Sequence, residues 1–486
     1  MKAKIIEEQG EGEDAELMDK LSEALYLLGI LYSRVENYTE SITYLRQAID
    51  LWSENEELDR LAEAKATLGV IKENKGDYSS ALMDFDEAYK LYDDIGEIGD
   101  VALQNRRIGR IYYLRLNRYQ QARKHFQLAL DFYREIEEPE GEIETLYEIG
   151  LSYEKTGLFD EADTYYQQGR KISEQLENPK LIATGFLYSA NTAWFRGDYQ
   201  DAFQNLAKAE LSTSNDSDKQ LAIMIKNTRG LIYWTLNDTD KSLLHLQDAV
   251  TLAREADIKT ELASSLNNLG LVYRQKLQYE TSLRYFTQAL QVDQELNSQW
   301  GLGYDYRNIG MSKLKMGKLE EAEANFIQSE KTSAAIHNTI NWAKALLELG
   351  NINKELGNIN KELGEINKEQ GRDNKALSYY QQAFDLSKKH GIKEVMWRSA
   401  AGKAAMLASE KEPEKEPEKE SSKEPGKQLE LAFQWYDQAI EIVEVMRASL
   451  KIDELRNSFQ ANKLDLYRDT VTLLIRMGQT DKAFDY

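Results

Sequence analysis

Small residues recur on an almost constant spacing along this chain: Ser41, Ala81, Ala122, Ala162, Ala202, Ser242, Ser282, Ala322, Ala376, Ala432 and Ala483. The first seven intervals are 40 or 41 residues, so one supersecondary unit is repeated and its copies must stack to bury a core. A second series lies in the first half of each repeat: Gly29, Gly69, Gly109, Gly150, Asn191, Gly230, Gly270, Gly310 and Gly350. Apolar residues at three- and four-residue spacing surround it, as in an amphipathic helix. Glycine within a helix costs about 1 kcal/mol relative to alanine. Its return at one register implies that another helix presses against the backbone there.

Five residues before the opening series stands a residue suited to a left-handed turn: Gly76, Asn117, Gly157, Gly197, Asn237, Gly317, Gly371 and Gly478. A second helix follows. Its small residue is echoed seven positions later, with a bulky residue between, as in Ala81–Phe85–Ala88 and Ala322–Phe326–Ser329. The pattern predicts an all-α chain, an α-solenoid of about ten antiparallel helix pairs. Segments 143–172 and 263–292 resemble tetratricopeptide repeats in their leucine– or isoleucine–glycine pair, the tyrosine three residues on, and the small–aromatic–small ladder. The resemblance covers residues 17–409 and 428–486 and implies a right-handed superhelix whose first helices line a concave, protein- or peptide-binding face.

Composition narrows the function. A net charge of −22 argues against nucleic acid, whose phosphates need a basic surface. The absence of cysteine removes disulfides, thiolate zinc sites and cysteine nucleophiles. No apolar run has the length of a signal peptide or a membrane span, so no membrane partner and a cytoplasmic location are expected. His125, His245, His337 and His390 fall at no metal-ligand spacing. With 83 acidic residues, chance carboxylate pairs are inevitable. No catalytic residue, metal or cofactor is expected, and the chain reads as a non-enzyme.

Two irregularities and two ends define the remaining segments. Residues 1–16 read as an acidic tail and 17–350 as the regular array. From Ala322 to Ala376 the interval stretches to 54 residues through the copies NINKELG, NINKELG and EINKEQG at 351–371. Ile352, Leu356, Ile359, Leu363 and Ile366 alternate there at spacings of four and three, as in a coiled-coil seam. A tandem duplication lengthening one helix is expected; the sharper reading is a spike through which two copies could associate. Residues 372–409 continue the array. The run EKEPEKEPEKESSKEPGK at 410–427 has no apolar residue, which predicts a disordered loop. Residues 428–486 complete the array with a partial last pair.

Candidate ligand contacts come from first-helix positions three before, one after and four after the glycine, the ones expected on the concave face. These are Arg106 and Arg110, Asn227 and Trp234, Asn267 and Arg274, and Arg307, with Tyr304 six before its glycine. Arginine offers a bidentate fork to carboxylates and asparagine pairs with a peptide backbone, so an acidic or extended peptide is the expected ligand. The lysine–asparagine register of chaperone-tail clamps is not met. The ending, 454–486, resembles the stretch preceding the caspase-like CHAT domain in bacterial, especially cyanobacterial, tetratricopeptide–CHAT proteins. The features are Arg456 with Phe459, LYRD at 466–469, and MGQTDKAFDY. That resemblance implies the regulatory half of such a protein. The rival readings are a partner-gated transcriptional or signalling regulator and a passive assembly scaffold.

Overall fold

The computed structural model describes the chain apart from residues 1, 55, 214–217, 337, 363–365, 410–424 and 449–462. Among the described residues every regular element is helical, and the chain is an all-α solenoid of antiparallel pairs. It divides into two compact units, Met1–Ala256 and Asp257–Tyr486.

The first unit holds α1 (Lys2–Arg34), α2 (Tyr38–Glu54), α3 (Leu58–Lys75), α4 (Tyr78–Ile95), α5 (Ile98–Arg110), α6 (Tyr119–Glu135), α7 (Pro139–Glu154), α8 (Phe159–Gln175), α9 (Pro179–Arg196), α10 (Tyr199–Ser212), α11 (Lys219–Thr235) and α12 (Thr239–Glu255). A widened π turn, Ile111–Arg115, closes α5. The second unit holds α13 (Lys259–Gln275), α14 (Tyr279–Glu295), α15 (Gln299–Lys315), α16 (Leu319–Ala335), α17 (Thr339–Glu362), α18 (Ile366–His390), α19 (Lys393–Ser409), α20 (Pro425–Ala448), α21 (Leu464–Arg476) and α22 (Thr480–Ala483).

The two series of small residues interlock. A Cβ added at Gly69 would lie 2.7 Å from the Phe85 ring, and at Gly350 2.7 Å from Tyr380. The first-helix glycine therefore receives the bulky residue of its partner helix. Phe85, Phe126, Phe286 and Phe326 are wholly buried by this contact, each worth about 1.5–3 kcal/mol of apolar burial. In three pairs the tyrosine after the glycine stacks on the second helix: Tyr32 on Tyr44 and Tyr153 on Tyr165 in the first unit, Tyr273 on Tyr285 in the second. His125 and His245 take the same place opposite Tyr112 and Tyr233, which accounts for both as packing residues.

The turns follow the residues that favour them. Gly76, Asn117, Gly157, Gly197, Asn237, Gly317 and Gly478 all adopt positive φ. Leu277 holds the same register at φ 60° without glycine or asparagine to ease it. After two of these turns an aspartate caps the next helix: Asp77 accepts from the Ser80 N–H at 3.2 Å and Asp238 from the Lys241 N–H at 3.3 Å.

Four expectations need revision. Gly371 is no turn residue; it lies within α18, with no atom near its missing side chain. The duplicated segment 351–371 is not one lengthened helix, because α17 has 24 residues and α18 has 25, against 17 in α13. Each partner took part of the insertion, and the two helices meet where Gly357 of α17 faces Arg372 and Asp373 of α18, while Ile359 stays 38% exposed. Ile352 and Leu356 are buried in the molecule's own core, while Leu363 and the side chain of Ile366 lie outside the described residues. Residues 1–16, expected as a tail, are helical from Lys2 onward. The expected loop 410–427 ends early: Pro425 opens α20, where its fixed φ and missing N–H suit a first turn. Residues 410–424 lie outside the described residues.

Candidate functional site

In the second unit, the first helices α13 and α15 face each other through side chains at three- and four-residue spacing, which places them on one face of each helix. Asn267, Leu271 and Arg274 project from α13, and Trp300, Tyr304, Arg307 and Asn308 from α15. Between them lies a cavity of about 480 Å³, with Asp293 of α14 in its wall. Four of the eight candidate residues, Asn267, Arg274, Tyr304 and Arg307, are brought together here.

Hydrogen bonds hold the amides in place. Asn267 Nδ2 donates to Asp305 Oδ1 at 2.6 Å, and Asn308 Nδ2 donates to Asn267 Oδ1 at 3.3 Å. Arg274 Nη1 donates to the Asn308 carbonyl at 3.4 Å, and Arg307 Nε to Asn341 Oδ1 at 2.8 Å. Arg274 lies over Phe286 and Arg307 over Tyr304, 5.4 and 5.7 Å from the ring centres. Tyr304 packs against Trp300 at 4.5 Å, and Trp300 remains half exposed at the rim.

The charges of this site are poorly compensated. Among the described residues neither Arg274 nor Arg307 has an ion-pair partner. Burial, followed by repulsion from Arg307, pulls the Arg274 guanidinium down to about 10. Burial likewise lowers Arg307, against the pull of Tyr304 and Glu348. Lys344, on α17, is lowered by burial and by Arg307. Beneath the cavity sits an acid pair. Burial, opposed by the Asn267 hydrogen bond and reinforced by Asp293, raises Asp305 to about 8, and burial raises Asp293 as well. Asp305 Oδ2 is buried with no other donor facing it, so a proton shared between the two carboxyls satisfies both. Gly301 permits the pair, since a Cβ there would strike the Asp293 carboxylate.

The first-unit candidates do not assemble in this way. Arg106 donates to Glu148 through Nε at 2.8 Å and Nη2 at 3.2 Å, and its Nη1 reaches Glu144 at 2.5 Å. Burial lowers Arg106, but Glu148 and Glu144 together outweigh it and raise its pKa above the ordinary arginine value. Arg110 is exposed and reaches Glu148 at 3.6 Å. Asn227 is buried, 7% exposed, and so is not presented to a groove. Trp234 is half-buried, and its Nε1 is enclosed without a hydrogen-bond partner.

Sequence reasoning missed Lys344, Trp300, Asn308, Asp293 and Asp305. Lys344 stands six residues before Gly350, as Tyr304 stands six before Gly310. Reading that register in every repeat would have found it. The aspartates gave no signal among so many acidic residues.

Models of the tetratricopeptide repeat match residues 20–94, 100–175, 261–335 and 362–390, just over half of the chain. The chain belongs to the tetratricopeptide repeat family. The match at 261–335 runs from the first turn of α13 to the end of α16 and hence contains most of the cavity. No curated protein matches the chain. Similar solved structures include a signal-transduction ATPase of the STAND class with a tetratricopeptide repeat sensor, from Pyrococcus horikoshii. It has 13% identity and a TM-score of 0.48, over 81% of this chain and 55% of that one. The tetratricopeptide chain therefore spans about half the length of that ATPase. The apo form of RapI has 14% identity and a TM-score of 0.46, over 57% of this chain and 98% of its own. A Rap protein complexed with competence and sporulation factor has 15% identity and a TM-score of 0.46, over 79% and 97%. No helix among the described residues is long and apolar enough to cross a membrane.

Proposed function

We propose that this tetratricopeptide protein is an interaction scaffold or sensor that grips an extended peptide segment between α13 and α15. The observation that carries the reading is the cavity itself, where asparagine amides, two arginines with no ion pair among the described residues and a half-exposed tryptophan converge. Repeat solenoids bind partners along such first-helix surfaces. Asparagine can pair with a peptide backbone, and the Trp300 face can cover an apolar side chain. No chemical step is assigned: His125 and His245 are occupied as ring-stacking partners.

Selection of displayed random peptides on the full chain tests this. Enriched peptides should lose binding to the Trp300→Ala and Asn308→Ala variants. Enrichment that both variants retain would move the site elsewhere, and no enrichment would sink the reading. The finer proposal is that the array is the sensor half of a tetratricopeptide–CHAT protein. Arg456 and Phe459, which contribute to that resemblance, lie outside the described residues. Reading the gene past codon 486 tests it: an in-frame caspase-like domain with its His and Cys supports the sensor, and an immediate stop leaves a freestanding scaffold.

A further inference from the structure

We infer that the cavity between α13 and α15 takes a carboxylate of the bound peptide, with Arg274 and Arg307 as its counter-charges and Lys344 as a third cation beside them. This rests on the peptide-binding reading and specifies its ligand.

The argument is one of charge and solvation. A desolvated guanidinium is costly unless paired, and Arg274, Arg307 and Lys344 have no ion pair among the described residues. The three stand on successive first helices, α13, α15 and α17; burial disfavours all three charged forms, and repulsion from Arg307 adds to it at Arg274 and Lys344. The carboxylate acting on both guanidiniums is Glu348. Glu394 acts on Lys344 but is already joined to Arg398 at 2.7 Å. Among the described residues Glu348 is thus the one carboxylate shared by the two guanidiniums, and a carboxylate of the bound peptide, planar like the arginine fork, supplies further negative charge at the cavity. Asp293 lines the same cavity, and burial raises both it and Asp305, which weakens the negative charge the acid pair presents there.

The test uses the full chain and immobilised pools of random octapeptides carrying Asp or Glu, their isosteres Asn or Gln, or phosphoserine at one fixed position. Peptides have blocked ends, and a separate apolar pool has free C-termini. Retention of Asp/Glu peptides should exceed that of Asn/Gln by about tenfold and fall with added salt. Arg274→Gln and Arg307→Gln should each abolish that preference without lowering the melting temperature, because each removes an unpaired buried charge. Retention of the free C-terminal pool alone would keep the carboxylate and assign it to a chain end. A preference for phosphoserine would overturn the carboxylate assignment. Equal retention of Asp/Glu and Asn/Gln would overturn the anion anchor but leave peptide binding standing, and no retention of any pool would overturn both. If a glutamine variant unfolds, wild-type preference that is indifferent to salt overturns the inference on its own.

Discussion

Arg106 in the first unit and Arg307 in the second occupy the same register, three residues before the first-helix glycine, yet their surroundings are opposite. The following first helix in the first unit presents Glu144 and Glu148 at six and two residues before Gly150. In the second unit those places hold Lys344 and Glu348 before Gly350. Arg106 is clamped by both carboxylates. Arg307 donates to the Asn341 amide instead, beside a second cation. One repeat therefore consumes its arginine in holding the array together, and the other keeps an unsatisfied charge at a cavity. Stability and binding capacity lie on different sides of one substitution, a trade-off common at functional sites.

The largest expected effect is on the closed site. Arg106→Met leaves the buried Glu148 with only its 3.6 Å contact to the exposed Arg110 and should cost about 3 kcal/mol in chemical denaturation. Arg307→Met, at the equivalent position, should leave stability unchanged or raise it. Similar losses at both would end the contrast.

The acid pair supplies the next effect, through pH. Asp305 has its pKa raised in the folded state from 3.8 to about 8. Between those values the folded chain keeps a proton that the unfolded chain releases, so stability falls as pH rises from about 4 to about 8. Asp305→Asn reproduces the protonated acid, accepting from Asn267 and donating to Asp293 at every pH. The variant should melt with a flatter pH dependence over that window, and an unchanged slope would show that the pair does not share a proton.

Reciprocal exchange sharpens the comparison most directly, with smaller energies. Glu144→Lys should destabilise the first unit by about 1 kcal/mol, as one partner of a partly exposed ion pair is reversed. Lys344→Glu should stabilise the second by a similar amount, about 1 kcal/mol, by supplying Arg307 with a counter-charge. It should also remove the acidic-peptide preference. Melting curves and peptide retention on the same two variants check both halves.

Much of this molecule could be read from single residues. The glycine at Gly69 and the aromatic at Phe85 announced their contact because each recurs at a fixed place in the repeat. Gly76 and Asn117 announced turns because few other residues reach positive φ without strain. Leu277 reaches it with no such sign, carried by the helices on either side. In the insertion, periodicity could count the added residues but not where the chain reverses, since Gly371 is as compatible with the middle of α18 as with a turn. The candidate contacts divided for a similar reason. The register that selected Asn267, Arg274 and Arg307 also selected Arg106, and nothing local to Arg106 reveals that Glu148 is folded against it.

The sequence by itself determined the repeat, its helix pairs and the small–large lock between them, because those depend on period and volume within about forty residues. Only the tertiary structure decided which arginines are neutralised and which face an open cavity. That depends on side chains a whole repeat away, whose distance and desolvation exist only once the helices are stacked.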